Sequence, residues 1–201
     1  MTDQRVYIVD DDEAMRDSLL WLLESQSFSV TAYSSAEDFL AACRDGMAGC
    51  IVLDVRMPGM SGLELYEKLN ARHCTLPVIF ITGHGDVPMA VSALKKGAVD
   101  FIEKPFGDKD MLRLIEQCLE LDRNNREKNQ QGVAAARRLA ALTEREVEVM
   151  NLIIAGKLNK QVADVLNISI KTVEVHRSRI MDKMAVRTVA ELVQAVMRGR
   201  Q

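Results

Sequence analysis

A (βα)5 doubly wound parallel sheet followed by a small all-helical domain is the fold class this sequence predicts. Three observations predict it: five β-rich runs separated by spacers long enough for one helix each, a charge balance that reverses sign near residue 121, and four short helical periods after residue 140. The chain has 201 residues, 48% hydrophobic and 27% charged, which excludes disorder as the main state and fits one large or two small domains. No apolar run approaches the roughly 18 residues of a membrane span, and acids in MTDQRVYIVDDD stand where a signal peptide has its apolar core. A cytosolic chain with no membrane partner is therefore expected. Cys43, Cys50, Cys74 and Cys118 lie far apart without a Cys-x-x-Cys pair, so they suggest reduced core residues, neither a zinc site nor a disulfide framework. Residues 1–121 hold 20 acids and 11 bases, residues 122–201 hold 9 acids and 15 bases, and the net charge is −3; such asymmetry points to two domains with different partners.

The strand runs are VYIV (Val6 to Val9), FSVTAY (Phe28 to Tyr33), CIVLDV (Cys50 to Val55), PVIFIT (Pro77 to Thr82) and AVDFIEK (Ala98 to Lys104). The middle runs are nearly all apolar, as strands covered on both faces must be. Ligands of such sheets bind at the carboxyl ends of the strands, near the switch in strand order. The first domain is read as 1–121. Residues 122–138, polar with one Gly, form a linker able to stay helical where it continues the preceding helix. In the second domain, 139–201, Thr143 and Glu146 make a capping-box pattern that opens a helix to about Ala155, which Gly156 stops. A helix near Lys160 to Leu166, a turn at Asn167-Ile168-Ser169, a helix from Ile170 to Met184 and a last one from Thr188 to Met197 complete a helix-turn-helix pattern.

Asp10, Asp11 and Asp12 follow the first strand, Asp54 the third, Thr82 the fourth, and Lys104-Pro105 the fifth. As strand-end residues of one sheet they should converge on one pocket. Crowded carboxylates repel by about 4 kcal/mol for a pair about 4 Å apart at an effective dielectric near 20, so a cation should compensate them. Hard oxygen ligands favour magnesium. A carboxylate beside that metal can attack phosphorus, with Thr82 and Lys104 binding phosphoryl oxygens. Asp12 reads as a first-turn acid favoured by the helix dipole, Arg56 as solvated or tuning hydrolysis, and His84 as a loop residue. Trp21 is expected to pack on the first helix, and the 11 methionines to fill the core.

The segments IVDDDEAMRDSL, VLDVRMPGMSGLEL and FITGHGDVPMAVSALKKGAVDFIEKPF, with their spacing, resemble a two-component receiver domain over residues 4–121. The resemblance implies that Asp54 is the phosphorylated aspartate. It implies that Asp11 and Asp54 are side-chain ligands of Mg2+, with Asp10 acting through water and the Arg56 backbone carbonyl as the third protein ligand. Thr82 and Lys104 match the phosphate contacts, Lys104-Pro105 the family's cis peptide, and Phe101 the aromatic that turns inward when Thr82 moves. The face around residues 87–106 is the family's dimerisation surface. TGHGDVPMAV and KKGAVDF are similar to FixJ-like members, a subgroup that includes regulators of respiration on alternative acceptors.

The stretch from Leu142 to Thr188 resembles the LuxR-type helix-turn-helix of the NarL/FixJ response regulators, through Thr143-Glu144-Arg145-Glu146, Gly156, Asn159-Lys160, Ala163, Ile168-Ser169, Thr172-Val173 and Val175-His176. The helical period independently puts Val173, Ile180 and Met184 in one apolar stripe with Arg177 at its edge. Lys171, Val175, Ser178 and Arg179 fall opposite, with Glu174 on the flank. Val175 among polar neighbours suits contact with a thymine methyl in a major groove. By resemblance, Glu174, Val175 and Ser178 reach base edges, while Lys160, Lys171, Thr172, Arg177 and Arg179 contact phosphates. Glu174 and Ser178 depart from the lysines of some relatives. A dimer would read half-sites about one helical turn, roughly 34 Å, apart.

The reading is a transcription regulator activated by phosphoryl transfer. Its implied partners are a sensor histidine kinase, promoter DNA, a second copy on phosphorylation, and RNA polymerase. Asp10-x-Asp12 with Thr82 and Lys104 is also similar to haloacid-dehalogenase-type phosphatases, a reading that leaves Asp54-Met57-Pro58-Gly59 and the basic module without a purpose. A regulator that binds DNA without phosphorylation is the third alternative, and phosphate-dependent operator affinity separates it.

Overall fold

A computed structural model describes residues 4–83, 91, 94–95 and 97–200, and the chain forms two compact units, Met1–Asn125 and Arg126–Gln201. Most of the segment 84–96 lies outside the described residues; it carries His84, the helix expected between the last two strands and the start of the expected 87–106 face. Among the described residues no helix is long and apolar enough to cross a membrane.

The first unit is a parallel sheet of β1 (Arg5–Val9), β2 (Ser29–Tyr33), β3 (Gly49–Asp54), β4 (Val78–Thr82) and β5 (Asp100–Glu103), ordered β2-β1-β3-β4-β5. Every residue of β3 and β4 is buried, while the edge strands β2 and β5 are partly buried throughout. Alternate residues of each strand enter opposite faces. Ile51, Leu53 and Phe80 pack with Phe39 and Leu65 of α2 (Ala36–Ala42) and α3 (Gly62–Ala71). Cys50, Val52, Ile79 and Ile81 pack with Leu19 and Leu23 of α1 (Glu13–Ser25) and with Met111 and Ile115 of α4 (Asp108–Ala140).

Local chemistry sets the helix starts. Asp12, expected inside the first turn, is instead the N-cap of α1, accepting from the Ala14 and Met15 N–H groups at 2.9 and 3.4 Å. Ser61 and Glu64 form a full capping box on α3. Trp21 corrects its expectation: it is 75% exposed, because Leu19, Leu22 and Leu23 already form the buried stripe of α1 and Trp21 points the other way. Cys50 and Cys118 are buried, whereas Cys43 and Cys74 are only partly so.

The 33-residue α4 contains the whole of the expected linker 122–138. Asp122 is buried, and its Oδ2 accepts from the Gly49 N–H at 2.9 Å and the Gln4 side-chain amide at 3.0 Å, tying α4 to the start of β3. Further along α4, Ala135 is buried and Leu139 packs on the core of the second unit.

That second core gathers Val149, Met150 and Ile153 of α5 (Glu144–Ile154), Val162 of α6 (Asn159–Leu166), Val173, Ile180 and Met184 of α7 (Ile170–Met184), and Leu192 and Val196 of α8 (Val189–Gly199). Gly156, at φ +78°, turns the chain after α5. Asn167 ends α6 in the left-handed region and Ser169 caps α7, so the middle helices meet at a tight turn. The capping box of Thr143 and Glu146 is present, and the Glu146 carboxylate also accepts from Lys183 Nζ at 2.6 Å. That bond, then the Thr143 N–H, lowers the Glu146 pKa from an ordinary 4.5 to about 2.

Replacing Asp122 with Ala leaves the buried Gly49 N–H without an acceptor and is expected to cost about 2–3 kcal/mol, read from urea unfolding of the first unit; a loss below about 0.5 kcal/mol would show that the tie is not structural. Because the Glu146 pKa is depressed on folding, its contribution is fully present above pH 4.5 and disappears as pH falls toward 2. Glu146→Gln is expected to flatten the acid loss of stability of the second unit over that window.

Candidate phosphoryl-transfer pocket and nucleic-acid interface

The carboxyl ends of β1, β3, β4 and β5 bring together the residues read as one pocket. Asp10, Asp11 and Asp54 each offer a carboxylate oxygen, and these atoms lie within 4.8 Å of one another, a donor set able to hold a metal ion. Asp10 is fully buried and Asp54 is 8% exposed, while Asp11 faces solvent. Lys104 Nζ donates to Asp54 Oδ2 at 2.6 Å and to Asp10 Oδ2 at 3.0 Å. Burial raises the Asp10 pKa, with Lys104 and the Asp12 N–H opposing it. Burial pulls the Lys104 pKa down, but its hydrogen bonds to Asp54 and Asp10 outweigh this and raise it, so the ammonium keeps its charge.

Neighbouring backbone fixes Asp54. Its Oδ1 accepts from the Arg56 N–H at 3.0 Å. Gly62 starts α3 directly against the Asp54 carbonyl, where a Cβ would overlap that oxygen. Arg56 and Pro105 are exposed, and Lys104-Pro105 is a cis peptide. Thr82 is buried, its hydroxyl donating to the Gly83 carbonyl at 3.2 Å. Phe101 is partly buried against the α2–α3 side of the core.

Two supporting residues escaped sequence reasoning. Arg16 Nη1 donates to the Asp10 carbonyl at 2.8 Å, bracing the loop after β1. Glu37 Oε1 accepts from the Met60 N–H at 2.9 Å, holding the loop that follows Asp54. Nothing along the chain marks them, since each acts on backbone through a helix neighbour.

In the second unit, Val173, Ile180 and Met184 of α7 are buried and Val175, on the other side, is 44% exposed. Lys160, Lys171, Thr172, Glu174, Ser178 and Arg179 are exposed, and Arg177 is partly buried, as its place at the edge of the apolar stripe implies. Arg145 of α5 donates to the Leu166 carbonyl at 2.7 Å, fixing the end of α6 beside the turn into α7. The exposed side of α7 therefore mixes bases with Val175, and Ile170 is exposed at the start of the helix; a basic face with an aliphatic contact suits a groove of DNA.

Comparison with known proteins agrees with both halves. Residues 6–116 match the model for response regulator receiver domains, and residues 140–196 match that for bacterial regulatory proteins of the luxR family. Transcriptional regulatory protein FixJ of Rhizobium meliloti is 46% identical over 200 residues, covering 99% of this chain and 98% of its own. Transcriptional regulatory protein TdiR of Thauera aromatica is 43% identical over 194 residues, covering 96% and 86%. Among solved structures, response regulator StyR matches with a TM-score of 0.86 at 44% identity over 98% of this chain and all of that one. Full-length FixJ from B. japonicum matches at 0.62 and 43% identity over 100% and 98%. With an acidic strand-end pocket in one unit and a helix-turn-helix in the other, the chain belongs to the NarL/FixJ family of two-component response regulators, transcriptional regulators that join a receiver to a LuxR-type DNA-binding domain.

Proposed function

We propose that Asp54 accepts a phosphoryl group from the histidine of a partner sensor kinase and that the resulting acyl phosphate promotes receiver pairing and promoter binding. The observation that carries this reading is the contact of Asp54 Oδ2 with Lys104 at 2.6 Å, beside two further acids. An Asp54 oxygen attacks phosphorus while the bond from phosphorus to the histidine nitrogen breaks and its electron pair leaves with that nitrogen. Asp10, Asp11, Asp54 and the Arg56 carbonyl would hold Mg2+, which when bound neutralises phosphoryl charge. Lys104 and Thr82 take the phosphoryl oxygens, the Thr82 hydroxyl turning away from Gly83, and Phe101 fills the space that Thr82 leaves. The same groups support self-catalysed phosphorylation from small donors and self-catalysed dephosphorylation.

Pairing of two copies uses the face around residues 87–106. Moving the receiver from 1:99 to 99:1 in favour of the active form takes about 5.5 kcal/mol of differential stabilisation. The receiver, 1–121, then acts through 122–138 on the DNA-binding domain, 139–201. There Glu174, Val175 and Ser178 read bases, and Lys160, Lys171, Thr172, Arg177 and Arg179 hold phosphates. RNA polymerase is the downstream partner, and the cytoplasm the compartment.

Intact mass after incubation with Mg2+ and acetyl phosphate tests the acceptor: one phosphoryl adduct is expected on the wild type and none on Asp54→Asn. Equal modification of both proteins refutes the assignment of Asp54. On DNA selected from a random pool, Lys171→Ala is expected to weaken binding evenly across sequences and to lower the salt dependence by about one counterion. Val175→Ser should instead change the selected bases, and an unchanged pool would remove Val175 from the reading surface.

A further inference from the structure

Cys43 and Cys74 are distant in the chain, yet the fold brings them to one groove at the ends of α2 and α3. Cys43 closes α2, its N–H donating to the Phe39 carbonyl at 2.8 Å, and Cys74 follows α3, its N–H donating to the Leu69 carbonyl at 2.9 Å. Both side chains pack on the core shared by α2 and α3, and both line an open groove with Arg44 and Arg72. The groove is built from the segments leading into β3 and β4, so it sits at the edge of the sheet opposite Asp54.

We propose that Cys43 and Cys74 form a peroxide-reactive dithiol, which hydrogen peroxide converts to a disulfide bracketing the segment that carries Asp54. The Cys74 sulfur attacks one peroxide oxygen and the O–O bond breaks, giving a Cys74 sulfenic acid and one water. The Cys43 sulfur then displaces the hydroxyl from the Cys74 sulfur, forming the S–S bond and releasing the second water. Two electrons leave the thiols and reduce one peroxide to two waters. Burial, then the neighbouring Cys74, pushes the Cys43 thiol up to about 11, so Cys43 is the poorer first nucleophile at neutral pH and reacts second, its proton passing to the departing hydroxyl as the S–S bond forms. Cys50 and Cys118 stay outside this chemistry. Both are buried, and burial pushes the Cys50 thiol well up and the Cys118 thiol to about 12.

The reduced full-length protein is treated with hydrogen peroxide, its remaining thiols are alkylated in denaturant, and the product is weighed and mapped by proteolysis. Two of the four cysteines are expected to escape alkylation, with one linked peptide pair joining Cys43 to Cys74 that dithiothreitol separates. Closing a loop of about 30 residues restricts the unfolded chain, so the linked form should unfold at higher urea. In Cys43→Ser the reaction should stop at a Cys74 sulfenic acid, trapped by dimedone. Four alkylated cysteines in the treated wild type, a Cys50–Cys118 link, or oxidation without any link overturns the proposal. The decisive mapping uses the wild type, so it does not depend on whether a variant folds.

Discussion

One ammonium holds the acidic pocket together. At an effective dielectric near 20, Lys104 attracts Asp54 and Asp10 by about 6 kcal/mol each, while each pair among the three carboxylates repels by about 3 kcal/mol or more. Attraction and repulsion therefore nearly balance, and with all groups ionised two negative charges remain uncompensated. That residual charge matches one divalent cation, and a transferred phosphoryl group brings the oxygens that a hard cation and the ammonium can share. The pocket is poised because its one ammonium compensates only one of three negative charges.

The arrangement depends on a parallel sheet whose strands all end at one edge. The switch in strand order between β1 and β3 opens room for the loops after Asp10 and Asp54. Gly62 lets α3 start against the Asp54 carbonyl, and Arg16 and Glu37 secure the flanking loops through backbone atoms. Packing on both faces leaves β3 and β4 wholly buried, so the strands that present Asp54 and Thr82 are held from both sides.

The second unit, which matches the luxR family, is organised around α7. Its small core immobilises the α7 stripe of Val173, Ile180 and Met184, and the opposite face is left with bases and Val175. Glu146 serves two elements, capping α5 and pairing with Lys183 of α7, so one carboxylate ties the start of α5 to the end of α7.

Periodicity and punctuation determined the five strands, the α7 span and the capping box at Thr143, because these are consequences of nearest-neighbour chemistry and of the spacing of apolar residues. The acidic residues were legible for the same reason: Asp10 and Asp11 follow the apolar run of β1, and Asp54 closes that of β3. Tertiary structure alone decided the rest. Asp12 became a cap and not a first-turn acid because the chain leaves β1 extended. Trp21 went to solvent because three leucines had already taken the buried side of α1. Asp122, read as the first linker residue, became a buried anchor because α4 passes the start of β3, where the Gly49 N–H needs an acceptor. Cys43 and Cys74 became neighbours because α2 and α3 pack side by side on one face of the sheet. Each of these outcomes depends on partners distant in sequence, and the identity of a distant partner is set by packing, which no local pattern encodes.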